Sequence, residues 1–141
     1  MRSDKLGICA LVLAVVLGFA GCVSSGSTTT GGPIAIKDVA SITGKWVGLL
    51  EMAGSRDRED YVEVTIASDG TYQAASARTI GVMDTKGKVS VSDGRLLIQG
   101  ERGGRGNGTL FSQTGQPPRL LQVNGTSADG RQYIIRLRPQ S

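Results

Sequence analysis

Histidine is absent from the 141 residues. That absence excludes a Ser-His-Asp triad, a Cys-His pair and any histidine-ligated metal. Cysteine occurs twice, at Cys9 and Cys22, both ahead of the region that can fold, so the body has no disulfide staple and no CxxC site. Aromatics make up 4% of the chain and Trp46 is the single tryptophan, which leaves few walls for a rigid ligand. No long segment repeats with the helical period. The charge imbalance is small, 16 Lys and Arg against 12 Asp and Glu. Enzymes need acids, bases or nucleophiles placed together. The Ser, Thr, Asp and Glu residues here are scattered without a base–nucleophile spacing, so no enzyme activity, catalytic residue, metal or cofactor is expected.

What is present begins with a short, slightly positive start, Met1 to Lys5, followed by an uncharged apolar run from Leu6 to Ala20. That run falls short of the roughly 20 residues a bilayer-spanning helix needs, but it suits the apolar region of a signal peptide. Small residues, Ala20 and Gly21, then precede Cys22. The sequence Gly18-Phe19-Ala20-Gly21-Cys22 resembles the lipobox of bacterial lipoproteins, with Phe19 where Leu or Val is commoner. The resemblance implies that residues 1–21 are removed as a signal peptide. It implies further that the Cys22 thiol receives a diacylglycerol and the new amino group is acylated, a palmitate-type modification. Two or three acyl chains anchor far more firmly than one. Val23 replaces the Asp that resembles an inner-membrane retention signal, so the expected location is the cell envelope, lipid-anchored, at the outer membrane facing the periplasm.

Ser24 to Pro33 is rich in Ser, Thr and Gly and cannot bury enough surface to offset its ordering entropy. Residues 22–40 are expected to be the lipidated cysteine and a flexible tether. Ile36, Val39 and Ile42 recur every three residues, which fits one short helical turn. Residues 41–141 form the folded domain in this reading. Its segments are short, rich in Val, Ile, Leu, Thr and Tyr, and punctuated by glycine. Tyr61–Ser68 alternates, with Val62, Val64 and Ile66 on one face. Lys86–Ser92 alternates Val89 and Val91 against Lys88 and Ser90. Tyr133, Ile135 and Leu137 share a face of Arg131–Arg138. With Lys45–Met52, Thr71–Arg78, Arg95–Glu101, Gly108–Gln113 and Arg119–Thr126 there are eight strands. Asp69-Gly70, Asp93-Gly94 and Asp129-Gly130 predict two-residue type I′ hairpin turns. The expected fold is all-β: a single antiparallel eight-stranded up-and-down barrel, whose closure removes exposed edges.

Gly44-Lys45-Trp46, a Gly-x-Trp at the start of the first barrel strand, resembles the lipocalins and the broader calycin-type barrels. That resemblance implies that Trp46 plugs the closed end of the barrel. It also implies that an arginine near the last strand, Arg136 or Arg138, packs across the indole, with Gly44 allowing close approach. Thr43-Gly44-Lys45-Trp46 also looks like the opening of avidins. Biotin sites of that kind use further tryptophans as walls, which this chain lacks, and have a polar residue where Gly48 stands. Outer-membrane protease inhibitors share the Gly-x-Trp opening on a compact barrel, though their usual disulfide is missing here.

Three clusters invite sharper readings. Arg56-Asp57-Arg58-Glu59-Asp60 holds three carboxylates, but interleaved arginines and the lack of a calcium-loop pattern make it a solvated loop over the barrel mouth. Arg102 to Gly108 is glycine-rich. A phosphate cradle needs a helix after it, and Thr109-Leu110-Phe111 reads as strand, so a flexible hairpin loop is expected. Arg119, Arg131, Arg136 and Arg138 read as a solvated basic wall. The expected function is a membrane-anchored envelope lipoprotein acting as a non-enzymatic interaction or structural module, an inhibitor-like role included. The alternative is a lipocalin-like binder of a small apolar or amphipathic ligand. The partners this implies are the membrane through the N-terminal lipid and an envelope protein or small apolar ligand, with no nucleic acid.

Overall fold

The computed structural model describes residues 30–54, 59–76, 85–113 and 119–141. It contains nine strands and one 3-10 turn, Ala40–Ile42. The strands are β1 (Thr30–Ile34), β2 (Gly44–Met52), β3 (Asp60–Ile66), β4 (Thr71–Ser76) and β5 (Lys86–Ser92). They continue as β6 (Arg95–Gly100), β7 (Arg105–Gln113), β8 (Arg119–Thr126) and β9 (Gln132–Pro139). From β2 to β9 each strand pairs antiparallel with the next, and β9 returns to β2. The result is the closed eight-strand up-and-down barrel read from the sequence, plus one extra strand.

Period-2 alternation sets which side chains enter the core. On β3, Val62, Val64 and Ile66 are buried while Tyr61 and Thr65 face out. On β9, Tyr133, Ile135 and Leu137 are buried and Arg136 and Arg138 are exposed. Each such apolar side chain contributes about 1.5–3 kcal/mol on burial, and together they form one continuous core. Gly48 lies where β2 and β9 press together: a Cβ there would collide with the Arg136 carbonyl. Only glycine lets the two closing strands approach this closely.

The extra strand corrects the expected tether. β6 pairs with β7 only from Leu96↔Gly108 to Gln99↔Arg105, and β7 runs on to Gln113. The unpaired stretch of its edge is taken by β1, with Ile34 opposite Leu110, Pro33 opposite Phe111 and Thr30 opposite Gln113. Beyond it the Ile36 amide donates to the Gly94 carbonyl at 2.9 Å, and Ile36 is buried. Ladder bonds involve only backbone, so a polar, glycine-bearing segment can supply them. Residues 30–40 therefore belong to the folded body, and residues 22–29 lie outside the described residues.

The turns divide into two kinds. Asp93 and Gly94 both have positive φ, 51° and 72°, the type I′ geometry expected. Asp69-Gly70 and Asp129-Gly130 differ. In each, the glycine amide closes onto the carbonyl three residues back, Ala67 at 3.1 Å and Ser127 at 2.9 Å. These are three-residue connections with glycine as a left-handed bulge. Their aspartates are not in the left-handed region but accept local hydrogen bonds instead. The Asp69 carboxylate takes the Thr71 amide at 2.9 Å and hydroxyl at 2.7 Å. The glycine-rich loop is a third example: Gly103 closes on Gly100 at 3.1 Å, and Arg105 onwards is already strand rather than flexible loop.

Candidate functional site

One end of the barrel carries the 3-10 turn, the β3–β4 and β5–β6 turns and the start of β8. Ile36, Val39 and Ile42, spaced for this tight helix, turn inward there, and Ile42 is fully buried. Trp46 sits behind Ile42 at 1% exposure. Its indole Nε1 donates to the Ile42 carbonyl at 2.9 Å, so the one polar atom of the ring is satisfied. Trp46 is thus buried at this end of the barrel, and the arginine over its ring is neither Arg136 nor Arg138. The Arg119 guanidinium lies 5.8 Å from the indole centroid and donates to the Ser41 carbonyl at 3.1 Å. Arg136 instead pairs with Glu51 on the outer wall, and Arg138 faces solvent. Both stand at outward positions of β9, alternating with Tyr133, Ile135 and Leu137. Arg119 has the same parity as Leu121 and Val123 on β8 and so begins on the inward face. Gly44 also acts differently from expectation: no atom approaches its Cβ position, and its φ is +118°. It serves a backbone turn into β2, not a close contact.

The lumen beyond the plug is nearly full. Ile66, Tyr72, Leu96, Val123, Tyr133 and Ile135 are among the side chains around a cavity of about 30 Å³. That holds a water molecule or two, against about 300–1,000 Å³ for a ligand pocket. A larger, open concavity of about 1340 Å³ is lined by polar side chains, Lys88, Gln99, Arg105 and Asn107 among them, together with apolar Leu97 and Ile134, and it shares Val89, Ile98 and Tyr133 with the lumen cavity.

The opposite end holds the buried polar groups. Asp60, the first residue of β3, is buried and accepts a hydrogen bond from the buried Ser76 hydroxyl. It thus belongs to the wall rather than to the solvated loop expected over 56–60. Glu59 is exposed, and Arg56, Asp57 and Arg58 lie outside the described residues. Ser127 is buried beneath the β8–β9 turn, where it accepts from the Arg131 amide at 3.2 Å. Its hydroxyl also lies against Asp129. Hydrogen bonding from Ser127, then from Arg131, holds the Asp129 carboxyl below its ordinary value of 3.8. Hydrogen bonds from Thr71 do the same for Asp69. Among the described residues no set of three or more metal-binding side chains comes together, and no helix is long and apolar enough to cross a membrane.

The basic wall expected from four arginines is dispersed. Arg119 covers Trp46, Arg131 pairs with Asp129 at 2.7 Å, Arg136 pairs with Glu51, and Arg138 alone points outward without an ion pair among the described residues. The outer wall instead shows an apolar step. Leu49 and Tyr61 stand directly opposite each other on β2 and β3, 44% and 53% exposed. Sequence alternation places both outward, but the step needed the register to become visible. Cys22 lies outside the described residues. The chain matches no protein-family model, no curated protein and no solved structure.

Proposed function

We propose that the chain is a lipid-anchored cell-envelope protein whose barrel works as a non-enzymatic interaction or structural module, inhibitor-like roles included. The observation that carries the second half is the small enclosed cavity of about 30 Å³: the larger concavity of about 1340 Å³ is open to solvent, so recognition falls to open surface rather than to an enclosed pocket. The exposed Leu49–Tyr61 step fits that use, since apolar groups held rigidly on a sheet are ready contact points for a protein partner. An eight-strand barrel is also the architecture of a lipocalin-like binder of small apolar ligands, and the lining of the lumen is apolar. Its size argues for the first reading. The anchor rests on the apolar run from Leu6 to Ala20 and on Ala20-Gly21-Cys22.

Expression of the full chain with labelled palmitate tests the anchor. Wild type should carry the label and sediment with membranes. Cys22→Ser should lose the label and either be released or accumulate unprocessed. A Cys22→Ser protein of native mass that fractionates normally with membranes would sink the proposal.

A further inference from the structure

On the reading that Cys22 carries the lipid, we infer that the Trp46-plugged end of the barrel faces the bilayer and the opposite end points away. The evidence is where the chain joins the wall. Thr30 pairs with Gln113, the last residue of β7, and Ser112 pairs with Arg119, the residue lying over Trp46. The chain therefore reaches the barrel at the plugged end.

Residues 22 to 30 span at most about 28 Å when fully extended. Nine residues of β7 cover roughly 30 Å along the strand. With the usual tilt, the far turns stand about 20–25 Å beyond the near ones. A rigid body hinged at one end beside an impenetrable plane has most of its allowed orientations with the far end outward.

The lipid headgroups then oppose Lys37, Asp38, Ser68 and Asp93, all exposed. The end with the buried Asp60–Ser76 pair and the Ser127–Arg131 turn is presented to soluble partners. Leu49, beyond the midpoint of β2, lies toward this distal side with Tyr61.

The test uses the full chain, processed in cells and reconstituted into phosphatidylethanolamine–phosphatidylglycerol vesicles carrying a headgroup-linked acceptor dye. A donor is attached at Ser68→Cys in the β3–β4 turn or at Ala128→Cys in the β8–β9 turn, both exposed sites. Unchanged Trp46 emission checks folding. Energy transfer from residue 68 should be about twofold or more that from residue 128, given their separation along the strands. Equal or reversed transfer from vesicle-bound protein overturns the orientation alone. Protein that does not float with the vesicles, and whose Cys22 itself takes the thiol label, overturns the anchor and the orientation together.

Discussion

Trp46 is gripped from three sides. Ile42 takes its indole N–H, Arg119 covers its face, and the β2–β3 and β2–β9 ladders fix its backbone. Trp46→Ala should cost about 3–5 kcal/mol, a large share of the 5–15 kcal/mol typical of a domain, read from denaturant melts. In wild type the emission should be blue-shifted and poorly quenched by iodide. Arg119→Gln should cost less, about 0.5–2 kcal/mol, but should open the indole to iodide, whereas Arg136→Gln and Arg138→Gln should leave quenching unchanged. If instead the Arg138 variant opens the indole, the assignment of Arg119 fails. The identity of this arginine was within reach of the sequence. The alternation that puts Tyr133, Ile135 and Leu137 inward turns Arg136 and Arg138 outward, and the same parity on β8 turns Arg119 in. Asp60 was harder. It stands among charged neighbours, and its burial depends on Ser76 of β4, a contact that local spacing does not reveal.

At the scale of elements, β3, β5 and β9 were legible from their alternation, and the other barrel strands from short Val-, Ile-, Leu- and Thr-bearing runs set off by glycine-containing turns. β1 was not, because Thr30-Gly31-Gly32-Pro33-Ile34 has the composition of a linker and is held by the vacant edge of β7 rather than by its own side chains. The side chain that secures it is Ile36. Ile36→Ala should cost about 2–5 kcal/mol and should speed amide exchange in Leu110–Gln113 while leaving the β2–β3 ladder protected. Unchanged exchange in that stretch would show that β1 contributes nothing to the wall. Two of the turns contribute acid sensitivity. Asp69 and Asp129 have folded values below 3.8, so the folded state holds these protons less tightly than the unfolded chain. Their stabilisation is complete above about pH 4 and is lost as pH falls through the lowered folded values. An Asp69→Asn/Asp129→Asn variant should therefore lose less melting temperature than wild type between about pH 5 and about pH 3. An equal loss would place the acid-sensitive groups elsewhere.

For the molecule as a whole, the nearly full lumen predicts that native mass spectrometry of the purified folded domain finds the mass of the polypeptide with no retained small molecule. A stoichiometric extra mass that survives desalting would favour the ligand-binding alternative. The closed circuit of strands also governs the order in time of its own making. β2 is among the first parts of the body to be synthesised, and its second neighbour, β9, is the last. Until Gln132–Pro139 exists, that flank of β2 offers unsatisfied backbone groups to any other nascent copy. Such long-range closure makes for slow folding, and a chain halted before β9 holds an open, adhesive sheet rather than a partial barrel. β1 depends on the same delay, since the notch it fills is bounded by β6 and the end of β7. The earliest-made strand must wait for the seventh before it has a place to dock.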